Sequence, residues 1–156
     1  MYALEVLMYQ LGQLFLAPVL LIILGLFVFA FYSSGRFAVE AWQRRKGNKP
    51  DLHIHWERTG CAAEDLELWM LRRLEPLRLA SRTAPMLGLV ATMIPMGPAL
   101  MSLTDGNTQG VSENLVIAFA AVIIALIAAS ISFWLLTVRR RWLMDDLRRL
   151  EERGHV

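Results

Sequence analysis

Three stretches of this chain hold no Asp, Glu, His, Lys or Arg: Leu14–Tyr32, Ala84–Leu103 and Val116–Val138, of 19, 20 and 23 residues. As α-helices these would reach roughly 28, 30 and 34 Å, against a hydrocarbon core of about 30 Å. Burying all three inside a water-soluble globule would need far more covering chain than a 156-residue protein has left. The hydrophobic share of 56% and mean hydropathy of +0.43 also exceed what an aqueous domain carries. The expected fold class is therefore all-α membrane protein with three transmembrane helices. No basic n-region precedes the first run, and it is longer than the roughly 7–15 apolar residues of a signal peptide, so it is expected to stay as a span.

Charge sets the orientation. The 16 Lys and Arg fall only in residues 33–82, which hold ten, and 139–156, which hold six. The positive-inside rule makes both segments cytoplasmic. The expected organisation is an outer interfacial segment (1–13), the first span (14–32), a cytoplasmic loop with amphipathic helices (33–82) and the second span (84–103). An outer loop (104–115), the third span (116–138) and a cytoplasmic helical tail (139–156) complete it. Residues 2–13 mix Leu4, Val6, Leu7 and Leu11 with Glu5, Gln10 and Gln13, which suits a short helix lying in the interface. The first span is apolar all round and is expected on the lipid-facing rim. In the cytoplasmic loop, Lys46–Pro50 reads as a break. Asp51–Glu57 alternates Leu52, Ile54 and Trp56 with His53 and His55, an extended pattern. From 62 to 82, Leu66, Trp69, Met70, Leu74 and Leu77 share one helical face, which Pro76 should kink or split. The tail places Trp142, Leu143, Leu147 and Leu150 on one side, with Asp145 and Arg149 spaced for an i,i+4 pair and Gly154 as terminator. The acids mixed among the bases on this side favour protein contacts over a nucleic-acid surface.

Few residues in the spans are polar. Thr92 is the hydroxyl nearest the middle of the second run, just before Pro95 and Pro98. Each proline removes a backbone donor and leaves the carbonyls near Ala91 and Ile94 without helical partners, which a membrane tolerates only where something else satisfies them. Two readings stand. Either Thr92 bonds back to its own helix and the prolines bend it, or Thr92 and the freed carbonyls line a hydrophilic constriction. In the third span Ala118, Ala121, Ala125, Ala128 and Ser132 recur at 3, 4, 3 and 4, a single helical face. Small residues let helices approach closely in lipid, so this face, together with Gly88 of the second span, is expected to pack a helix of the same chain, a second copy or another protein. Ser130 and Ser132 are candidates for a water-lined path or for back-bonding. Glu113 precedes the third span as either a first-turn acid capped by Ser112 or a cation-gathering group at the outer mouth.

No catalytic constellation, phosphate loop or cofactor motif is present. His53-x-His55 with Cys61 matches no zinc spacing, and no metal site is expected.

Ala84-Pro85-Met86-Leu87-Gly88-Leu89-Val90-Ala91-Thr92 resembles the second-helix motif of the MotA/TolQ/ExbB proton-channel family, an Ala-Pro-Leu-Leu-Gly-Leu-Leu-Gly-Thr type of run. Val111-Ser112-Glu113-Asn114-Leu115 is similar to the family's approach to its next helix, and the Ile94–Leu100 stretch resembles a small archaeal and bacterial branch often paired with a short single-span partner. The resemblance covers about residues 80–140. It implies a ring-forming subunit, pentameric, around ExbD/MotB/TolR-like single-span partners, with ions passing between ring and partner in a prokaryotic cytoplasmic membrane. Thr92 would be the ring threonine and Glu113 the outer-mouth acid. The chain departs from the pattern at Ala118, five residues after that acid, where better-known members have a second threonine. With no carboxylate in any span, a proton relay needs a partner's Asp. The alternatives are a non-conducting scaffold gathering partner helices on the small face, and a transporter subunit, which the absence of broken helices and intramembrane charge disfavours.

Overall fold

A computed structural model describes residues 2–47 and 63–152, and builds them almost wholly from three helices. These are α1 (Tyr2–Arg45), α2 (Ala63–Thr104) and α3 (Thr108–Glu152), of 44, 42 and 45 residues. Each is long and apolar enough to cross a membrane, and no strand occurs among the described residues. At about 63–68 Å each is roughly twice the hydrocarbon thickness. The bundle therefore has an uncharged length and a projecting length. The Lys and Arg of α1 to α3 gather at one end, here the basic end; the α2–α3 turn lies at the other, the hairpin end. The expected extended segment Asp51–Glu57 with His53 and His55, as well as Cys61 and Gly154, lies outside the described residues.

The helices run longer than the pattern of the sequence suggests. Residues 2–13 are not a separate short helix but the first turns of α1, and Tyr9 comes close to Gly97 of α2. Pro76 does not split the amphipathic helix, which continues through it and through Pro85, Pro95 and Pro98. A proline inside an isolated helix costs about 3 kcal/mol. Here α2 lies against α3 along most of its length, so packing opposes that cost.

The connection expected at 104–115 is only three residues long. α2 ends in a Schellman motif at Gly106, whose φ of 70° favours glycine. Asn107 N–H donates to Ser102 C=O (2.9 Å) and Gly106 N–H to Leu103 C=O (3.1 Å). Asn107 then caps α3, its Oδ1 accepting from Gly110 N–H at 3.1 Å. The cap is thus Asn107 and not Ser112, because the residue that ends one helix also starts the next. Glu113 falls in the second turn of α3.

Three layers of core follow one another along the axis. In the uncharged length Val19 and Ile23 of α1 meet Ala91, Ala121 and Ala125. Further toward the basic end Phe37, Leu77 and Leu135 join. In the projecting stem Leu66, Met70 and Leu74 pack on Leu143 and Leu147, the face expected from the spacing. α1 contributes one narrow edge, and most of its large side chains, such as Leu14, Leu21 and Phe31, are exposed.

Candidate functional site

α2 and α3 meet small residue to small residue. On α2 the buried positions are Ala84, Gly88, Ala91, Pro95 and Ala99; on α3 they are Ala118, Ala121, Ala125, Ala128 and Ser132. The approach is close enough that a Cβ placed on Gly88 would lie 2.9 Å from the Ala125 Cβ and 3.4 Å from a Val122 methyl. The small face of α3 is buried within the chain, against α2 and, at Ala121 and Ala125, also Val19 and Ile23 of α1. Gly88, Ala118, Ala121, Ala125 and Ala128 are therefore buried inside the chain.

Thr92 sits at the edge of this seam, half-buried. Its Oγ1 donates to Leu89 C=O at 2.6 Å, so the back-bonded reading describes its proton. The oxygen's acceptor capacity remains, because a hydroxyl carries two lone pairs beside its single donor. Pro95, buried, and Pro98, half-buried, follow within two turns and withdraw the amide protons that Ala91 and Ile94 carbonyls would otherwise receive. One short stretch of α2 thus offers three acceptors and no spare donor at mid-span.

The other expected path residues do not converge on it. Ser130 is exposed and donates to Leu126 C=O at 2.8 Å. Ser132 lies on the opposite side of α3, fully buried, with no hydrogen-bond partner for its hydroxyl. Glu113 is exposed and accepts from Gln109 Nε2 at 3.1 Å. It stands five residues into α3, about 8 Å from the turn, whereas Thr92 is twelve residues short of the end of α2, about 18 Å from it.

A polar network not evident in the sequence ties α1 to α3 at the basic end. Arg44 Nη2 reaches Asp146 Oδ2 at 2.7 Å and Glu40 Oε1 at 3.9 Å, and Arg139 Nη2 reaches Glu40 Oε2 at 3.2 Å. Asp146 is 3% exposed. The Arg44 guanidinium also lies 4.8 Å from the Trp142 ring, which stacks on Phe37 at 4.8 Å and 13°. The one available signal was Asp146 itself, an acid flanked by Leu143 and Leu147 on the apolar side of the tail. In that tail the i,i+4 pair that forms is Arg148–Glu152 at 3.1 Å, not Asp145–Arg149. No cluster of three or more potential metal ligands occurs among the described residues.

Helices of spanning length, uncharged through their middles, with a small-residue seam between two of them and an ion-paired stem, are those of an integral membrane protein. The chain belongs to the MotA/TolQ/ExbB proton channel family, whose model matches residues 36–152. That is a family of proton channels and not of enzymes. No curated protein and no solved structure matches the chain significantly.

Proposed function

We propose that the chain is the ring-forming stator subunit of a proton-driven motor complex in a prokaryotic cytoplasmic membrane. In this reading the N-terminus is outside, the basic stem is in the cytoplasm, and a pentameric ring encloses single-span partner helices. The distribution of Lys and Arg supports the orientation, and family membership supports the role. None of the three uncharged runs contains a carboxylate, so the protonatable Asp is assigned to the partner.

Thr92 carries the mechanism. Because its proton is committed to Leu89 C=O, its oxygen is left as an acceptor beside the carbonyls freed by Pro95 and Pro98. A protonated Asp on a partner helix can donate to such a group; an ionised one cannot. Placing an ionised Asp at mid-bilayer costs about 2.5–3.5 kcal/mol, and a proton crossing 100 mV releases about 2.3 kcal/mol. The two are comparable, so protonation decides whether the partner docks at Thr92 or swings away. The scaffold alternative draws on Ala118, a buried methyl that gives α3 no polar group there. It loses the surface it needed, since α2 already covers the small face.

The test is the mass of the complex in detergent, with and without a single-span protein of the ExbD/MotB/TolR type. A pentamer that gains a pair of partners is expected. Proton flux through that complex should then fall strongly in Thr92→Ala and persist in Thr92→Ser. A monomer or dimer indifferent to the partner, or flux untouched by Thr92→Ala, would overturn the reading.

A further inference from the structure

The stem carries two outward rows of apolar side chains that no described residue covers. On α2 the row is Leu68, Leu71 and Leu79, each more than half exposed, with the exposed Glu75 among them. Spacings of 3, 4 and 4 put all four on one face of the helix. On α1 the row is Val39 and Trp42, also more than half exposed, flanked by the exposed Arg36 and Lys46 at spacings of 3, 3 and 4. Leu71 and Leu68 lie 11 and 14 residues to the stem side of Arg82, roughly 16 and 21 Å along the helix, where lipid tails do not reach. Apolar rows held in water mark a protein contact.

The two rows match in height and in charge. Phe37 of α1 and Leu77 of α2 belong to one core layer, which gives both helices a common zero. Val39 and Glu75 each stand two residues stemward of it, about 3 Å; Trp42 and Leu71 stand five and six residues stemward, about 8 and 9 Å. Arg36 stands one residue the other way, within about 5 Å of Glu75 in height. Neither Arg36 nor Glu75 makes an ion pair with a described residue. Copies inserted in the same orientation share one depth, so side chains at equal height in one chain are level with each other between neighbours. We propose that the α2 row of one chain packs on the α1 row of a second copy, Leu71 against Trp42, with Glu75 of the first paired to Arg36 of the second. The proposal rests on the ring reading above and names the surfaces that build the ring. Because the two faces differ, the contact is head-to-tail, which closes into a ring and not into a two-fold dimer.

The test is cross-linking of the full chain in membranes with a short bis-maleimide, in a Cys61→Ser background. A chain carrying both Leu71→Cys and Trp42→Cys should give a ladder of cross-linked multimers. Either substitution alone should leave only monomer, because each position meets the other and not itself. Both positions are exposed, so the core is undisturbed. Glu75→Arg or Arg36→Glu should weaken assembly about fivefold per contact, and the double reversal should recover most of the loss. Multimers of unchanged mass that give no ladder from the cysteine pair and ignore either reversal would overturn the inference while leaving the ring reading intact. Self-linking of Leu71→Cys alone would overturn it in favour of a two-fold contact. A chain that is monomeric in the membrane would overturn both.

Discussion

Gly88→Ala is the most exacting test of the seam between α2 and α3. The new methyl carbon would lie 2.9 Å from the Ala125 Cβ, against an ordinary contact of 3.4–4 Å. Neither atom can rotate away, since each Cβ is fixed by its backbone, so the helices themselves must part. Overpacking costs about 1–3 kcal/mol, and a contact without torsional relief belongs in the upper half of that range. Against this, alanine is favoured over glycine in a helix by about 1 kcal/mol. The expected net loss is about 1–2 kcal/mol. Ala125→Gly alone should cost about 2 kcal/mol, from helix propensity and a lost buried methyl. In the double variant the methyl merely changes sides, and the loss should be no more than about 1 kcal/mol. The cycle thus has a favourable coupling of about 2–3 kcal/mol. Equilibrium unfolding in mixed micelles, followed by tryptophan emission, measures all four proteins. Additive losses, or Gly88→Ala as stable as wild type, would refute the claim that α2 at Gly88 packs directly on the Ala125 methyl.

Asp146→Ala should destabilise by about 3 kcal/mol, because Arg44, 21% exposed, loses its 2.7 Å partner and keeps only Glu40 at 3.9 Å. Adding Arg44→Met should restore part of that loss in the same micellar unfolding assay. Ser132→Ala should be neutral or mildly stabilising, within about 1 kcal/mol, since the hydroxyl is buried without a partner; a clear loss of stability would mean that it is satisfied after all. Gly106→Ala should cost about 1–2 kcal/mol, because alanine is strained at a φ of 70°, and Gly106→Asn, which tolerates that region better, should cost less.

The spans were legible because an uncharged run of about 20 residues has few uses other than crossing lipid. The small face of α3 was legible for a similar reason: its spacing of 3 and 4 is helical, and its residue types suit close approach in lipid. Its occupant was not, since small-to-small packing looks the same within a chain as between chains. The tight turn escaped notice because a long apolar pattern marks where a span must be, not where a helix stops. Asp105-Gly106-Asn107 in fact holds the local signal of a glycine terminator followed by an Asn cap. The stem network was hidden by distance, for its partners stand 99 and 102 residues apart and meet only in the register of α1 on α3. The mid-span acceptors were partly legible: the prolines declare the freed carbonyls, but only the fold shows that Thr92 is half-buried at the seam while Ser130 and Ser132 point to opposite sides.

Only Asp105, Gly106 and Asn107 separate α2 from α3, which leaves no slack for the two spans to reach lipid independently. The second span, with three prolines in its run, is the less apolar of the two, its most apolar window having a mean hydropathy of 1.6 against 2.8 for the third. A hairpin this tight is expected to enter the membrane as one unit. Damage to the turn or to the Gly88–Ala125 contact would be seen first as protein that never reaches the membrane.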